Sequence, residues 1–233
     1  MAVGSGSTTF RFRTVSKRSR LLRLDDLDTV AGSLAAGSLA ILPTETGYML
    51  AALATSPRAL EAAFRVKQRD RVHVMHVACA SLAMARQFAV IDEPAARVIG
   101  AFTPGPLSVV LPQTQALPDS LVTVNGTVGI RVPDVPATLQ VIAAVGAPLT
   151  ATSLNVSGGT ATPLDEAELG QLAWPPDSTV HVVVDDEAVA YPLPSTLIRM
   201  VGRQLEVLRP GPIELDAVQA VLDSGAEAGR RIR

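Results

Sequence analysis

The chain has 233 residues, 48% hydrophobic and 18% charged, with a mean hydropathy of +0.30 and a formal net charge of −2. That balance excludes a disordered, solvating chain, and at this length roughly 70% of the unfolded surface can be buried without metals or disulfides. The one cysteine, Cys79, has no internal disulfide partner, which points to a reducing compartment.

Residues 1–23 hold Arg11, Arg13, Lys17, Arg18, Arg20 and Arg23 with no acidic residue. They read as a flexible basic arm, either simply solvated or an electrostatic contact for RNA. The same stretch lacks the apolar core of a secretory signal. Residues 40–42, closed by Pro43, read as a buried strand end, and 47–53 as a second apolar strand. Ser56-Pro57 supplies an N-cap with proline in the first turn of a helix over 57–67, whose apolar stripe is Leu60, Ala63 and Phe64. Further strands are expected at 72–78, 107–111, 128–132, 149–152, 180–184, 196–201 and 205–208, and helical patterns at 81–88, 94–101 and 136–145. The last of these helices presents Leu139, Ile142 and Ala143. Such interleaving predicts an α/β or α+β layered fold with a mixed sheet, one domain over 24–213, and a helix or tail over 214–233. The longest uncharged stretch, 135–164, is interrupted by Pro136, Gly146, Pro148, Gly158, Gly159 and Pro163, so no membrane span is expected and the cytoplasm is the expected location.

The sequence contains no GxSxG, GxxxxGK[ST], HExxH or CxxC motif. Its three histidines are His73, His76 and His181. On a strand His73 and His76 fall on opposite faces, so they make no metal pair, and no protein metal site is expected. What remains is a series of polar clusters at strand ends. These are Pro43-Thr44-Glu45-Thr46, Lys67-Gln68-Arg69, Thr103-Pro104-Gly105-Pro106, Arg131-Val132-Pro133, Thr152-Ser153-Leu154-Asn155-Val156-Ser157-Gly158, Pro194-Ser195-Thr196 and Leu208-Arg209-Pro210-Gly211. Each alone suits an ordinary turn or helix end.

In this order they resemble the motifs of the YrdC/Sua5 family, the L-threonylcarbamoyladenylate synthases, over about residues 34–212. The resemblance implies a YrdC-like α/β fold, an open twisted mixed sheet with flanking helices around a large cavity. It also implies an ATP-dependent nucleotidyltransferase that joins threonine and bicarbonate to AMP with release of pyrophosphate, for N6-threonylcarbamoylation of adenosine 37 in tRNA. Lys67 and Arg69 are the implied catalytic cations. They bind the nucleotide with Ser108, Thr152, Ser153, Asn155 and Arg209. Thr44, Tyr48, His73, Arg131 and Ser195 are implied for the amino acid. The cofactors implied are ATP, as substrate, and Mg2+ carried on its phosphates. The partners implied are double-stranded RNA or tRNA and the proteins of the t6A pathway. Such chemistry needs no enzyme nucleophile, because the threonine amine and then its carbamate attack, and the protein positions groups and offsets phosphate charge.

Four departures from the family pattern stand out. A glycine is Met49, a proline is Asp70, a Pro-Leu pair is Val74-Met75, and an alanine is Leu154. The added bulk at Met49, beside Tyr48, and at Leu154 is expected to narrow the amino-acid end of the cavity. The alternatives to ordinary family activity are a paralogue with an altered substrate and a non-enzymatic RNA- or ribosome-associated module.

Overall fold

The computed structural model describes residues 20–21, 26–68, 75–114, 117–118, 122–154, 172, 174 and 180–230. Chain order is β1 (Arg20–Leu21), α1 (Leu27–Ala35), β2 (Ala40–Thr44), β3 (Gly47–Ala51), α2 (Pro57–Lys67), β4 (Val77–Ala78), α3 (Leu82–Ala85), α4 (Glu93–Phe102) and β5 (Leu107–Pro112). It continues through β6 (Thr123–Val124), β7 (Thr127–Arg131), α5 (Pro136–Val145), β8 (Leu149–Thr150), β9 (Thr152–Ser153) and β10 (His181–Val182). After a 3-10 turn at Asp186–Ala188 come β11 (Thr196–Val201), β12 (Gln204–Arg209) and α6 (Leu215–Arg230).

These strands form two open mixed sheets flanked by helices. One runs β1-β10-β2-β3-β9 and the other β12-β11-β5-β7-β4-β8, with β6 alongside β7. The hairpin β2–β3 explains the first. Every residue of both strands is buried, and successive side chains enter two different apolar clusters. Ala40, Leu42, Met49 and Ala51 pack with Leu27, Val30 and Leu34 of α1 and Val141 and Ile142 of α5. Ile41, Tyr48 and Leu50 face the larger core, where Val77, Val109, Ile130 and Ile198 of the second sheet meet Leu60 and Phe64 of α2 and Val218 and Leu222 of α6. A strand covered on both faces reads as a continuous apolar run, which is the pattern residues 40–42 and 47–53 carry.

Several expectations are corrected in detail. The single strand expected at 149–152 is two: β8 pairs with β4 in the seven-stranded sheet and β9 with β3 in the five-stranded one. The chain changes sheet at Ala151, whose N–H donates to the His76 carbonyl at 2.7 Å. The Thr150 hydroxyl secures the crossing by donating to Leu50 O at 2.8 Å and accepting from Ala52 N at 3.0 Å. Of the strand expected at 72–78 only Val77–Ala78 is a strand among the described residues. The helical pattern at 81–88 shortens to α3, and 180–184 to β10. In α5 the buried face is Ala137, Thr138, Val141 and Ile142, rotated from the stripe read in the sequence. Helix α1 was not expected, and Arg20–Leu21, inside the segment read as an arm, pairs in parallel with His181–Val182. Among the described residues no helix is long and apolar enough to cross a membrane.

Candidate functional site

The site begins at the turn between β2 and β3. Gly47 sits at φ 104°, a conformation costly for any residue with a Cβ, and lets the chain reverse within two residues. The Thr44 hydroxyl donates to Gly47 O at 2.6 Å and accepts from Thr46 N at 3.3 Å, so Thr44 holds the turn from inside. Helix α5 docks on the same hairpin, its Thr138 hydroxyl donating to Pro43 O at 2.6 Å.

The turn carries a buried charge. The Glu45 carboxylate accepts from Arg131 Nη2 at 2.7 Å through Oε1 and from Asp134 N at 2.9 Å through Oε2. The same Arg131 Nη2 donates to the Thr46 hydroxyl at 2.7 Å. Glu45 is 3% exposed and Arg131 8%. Arg131 Nε is also buried and makes no hydrogen bond among the described residues. A buried donor left without an acceptor costs about 1–3 kcal/mol.

Arg131 closes strand β7, where Ser108 of β5 lies directly opposite it. The Ser108 and Ser195 hydroxyls are 2.9 Å apart. Arg209, at the end of β12, wraps Ser195, with Nε donating to its carbonyl at 3.1 Å and Nη2 to the carbonyl at 2.9 Å and the hydroxyl at 3.2 Å. Gly211 lets the two segments meet, because a Cβ there would stand 2.3 Å from Thr196 N and 2.6 Å from Pro194 O.

A third group comes from α2. Ser56 caps the helix by accepting from Ala59 N at 3.3 Å, Pro57 starts it, and Gln68 ends it in the left-handed region at φ 47°. Lys67, 3% exposed at that end, donates from Nζ to the Ser153 carbonyl at 2.5 Å. Thr152 and Ser153 pair with Leu50 and Met49 of β3, which ties this group to the same hairpin.

Thr44, Ser108, Arg131, Ser195 and Arg209 are linked through these contacts, and Lys67, Thr152 and Ser153 form a second group on the same hairpin. Tyr48 is placed otherwise: its ring is buried in the larger core and its hydroxyl accepts from Asp185 N at 3.0 Å. Arg69, His73 and Asn155 lie outside the described residues, as do Asp70 and Val74. Met49 does not intrude beside Tyr48. Neighbouring strand residues face opposite ways, and Met49 packs against α1 and α5. Leu154 is buried with Tyr48, and its N–H donates to the Tyr48 carbonyl at 2.9 Å. Sequence reasoning passed over Glu45, although it is the one charged residue between Asp28 and Arg58.

Cys79 is fully buried, and burial pushes its thiol from the ordinary 9.0 up to about 12, so it is no nucleophile at neutral pH. Among the described residues no three His, Cys, Asp or Glu side chains gather as a metal cage.

A family model named for Sua5, YciO and YrdC, and described as telomere recombination, matches residues 33–211. The chain belongs to this family. Among its Sua5/YciO/YrdC relatives, a putative threonylcarbamoyl-AMP synthase of Mycobacterium tuberculosis is 31% identical over 196 residues, covering 83% of this chain and 88% of that protein. Sua5 of Pyrococcus abyssi, solved with L-threonine, superposes with a TM-score of 0.76 at 26% identity, covering 88% of this chain and 60% of that one. This chain therefore spans about three fifths of the archaeal Sua5. Escherichia coli YciO, at 22% identity and a TM-score of 0.72, covers 84% of this chain and 98% of its own, and shares the fold.

Proposed function

We propose that this family member is an L-threonylcarbamoyladenylate synthase, a nucleotidyltransferase that uses threonine, bicarbonate and ATP. The observation that carries the reading is the buried guanidinium of Arg131, fixed by Glu45 and Thr46 at the turn after β2 and opposite Ser108. A planar guanidinium suits a carboxylate, and threonine supplies one. The relatives called threonylcarbamoyl-AMP synthases, and the Sua5 solved with L-threonine, support the same choice.

The threonine carboxylate pairs with the Arg131 guanidinium, which leaves its amine to take up carbon dioxide from bicarbonate, the bicarbonate hydroxide and one amine proton departing as water. The resulting carbamate oxygen attacks the α-phosphorus of ATP, and the bond to the β-phosphate oxygen breaks to release pyrophosphate. ATP would enter as its Mg2+ complex. Lys67 lies beside the Ser153 carbonyl and, with Arg69 from the same motif, offsets the phosphate charge. Thr152, Ser153, Asn155 and Ser108 supply short polar groups to the nucleotide, Arg209 keeps Ser195 in register, and His73 completes the amino-acid end. The product serves t6A formation on tRNA in the cytoplasm, where the basic residues of 1–23 meet RNA and pathway proteins.

The test is pyrophosphate release from Mg-ATP across the amino acids, with bicarbonate present and absent. Release is expected with threonine and bicarbonate together and with neither alone. Release without threonine, or faster with another amino acid, assigns a different substrate and overturns the reading.

A further inference from the structure

We propose that Glu45 is a positioning residue that sets the guanidinium of Arg131 for the carboxylate of the amino-acid substrate. The inference deepens the proposed function and rests on Arg131 contacting that carboxylate.

Four hydrogen bonds locate Glu45. Its Oε1 takes Arg131 Nη2 and its Oε2 takes the Asp134 N–H, so both carboxylate oxygens are engaged and the side chain has one rotamer to adopt. Its backbone carbonyl accepts from Ala190 N at 3.0 Å and Tyr191 N at 2.9 Å. The residue is therefore held by the segments after β7 and before β11 as well as by its own turn. Because Glu45 and Thr46 together occupy Nη2, the plane of the guanidinium is set, and Nε is the buried donor that stays without an acceptor among the described residues. A buried ion pair is weak evidence of stabilisation on its own. Here its geometry has a functional consequence, since rotation of that plane would turn the guanidinium away from a substrate carboxylate.

Charge and position are separated by Glu45→Asp, which keeps the carboxylate but withdraws it by one methylene. Threonine KM, and threonine Kd by calorimetry, are expected to rise on the order of tenfold to a hundredfold. The KM for ATP should stay within about twofold, and the same substitution should have little further effect in an Arg131→Lys background. An unchanged threonine Kd, or an equal loss in both backgrounds, overturns the proposal. Should Glu45→Asp not fold, Thr46→Val removes the other anchor on Nη2 and must raise threonine KM alone, and no rise overturns the proposal equally. Wild-type protein that binds no threonine sinks the substrate reading itself, an outcome distinct from wild type binding threonine with the Asp variant unaltered.

Discussion

Met49 and Leu154 show how a single side chain's facing decides its meaning. Both exceed the residue that the family pattern carries, and both were expected to crowd the amino acid. Instead Met49 fills the cluster under α1 and α5, and Leu154 fills the core beside Tyr48. They are packing residues. Met49→Gly and Leu154→Ala should each destabilise by about 2–5 kcal/mol, because both leave cavities and glycine also loosens the strand. Neither should raise the threonine-dependent rate. Urea unfolding measures the first claim and pyrophosphate release the second, and a faster variant of unchanged stability contradicts the packing assignment. That Met49 lies on a strand was legible in the sequence from the apolar run 47–53. Which face met the ligand was not, because both faces of β3 are apolar.

At the scale of elements, the site depends on loops that press backbone against backbone. The segment after β12 lies so close to Ser195 that Gly211 has no room for a Cβ, and the obstructing atoms are all main chain. Gly211→Ala must therefore move one segment. A displacement of about 1 Å in a positioning group can cost on the order of 100-fold in rate. We expect kcat/KM to fall by that order with a stability loss of about 1–3 kcal/mol, read by steady-state kinetics and thermal unfolding. Unchanged kinetics would mean that Ser195 is not part of the site. Helix α2 was legible because Ser56, Pro57 and the Leu60–Phe64 stripe are local signals, and the structure keeps the bounds 57–67. Helix α1 had a signal too, in Leu27, Val30, Ala31 and Leu34, all buried. The division of 149–152 between sheets had none, since both halves are extended and only the partners differ. Glu45 was visible as an isolated charge, but its partner, Arg131, stands 86 residues away, which no local pattern reveals.

For the molecule as a whole, the two sheets share a core that also contains the one thiol. Cys79 follows β4, is fully buried, and donates its N–H to the Arg131 carbonyl at 2.8 Å, so it sits behind the site in the middle of the larger core. Exposing it requires the sheets to open, and its alkylation should therefore report cooperative unfolding and not local motion. At pH 8 native protein should react slowly with iodoacetamide, and the rate should climb with urea in step with the loss of circular dichroism. Saturating threonine and Mg-ATP should slow the reaction further. At 100 times Kd a ligand adds about 2.7 kcal/mol to the native state, or about 100-fold in the unfolded population. The pH dependence has a defined sign. Burial raises the folded thiol from 9.0 to about 12, so the neutral thiol contributes fully below pH 9 and that contribution fades as pH rises toward 12. Wild type should lose stability over that window relative to Cys79→Ala, which lacks the titrating group. Rapid labelling of native protein at pH 8, or pH profiles that run parallel for the two proteins, would show that the core between the sheets admits water without unfolding.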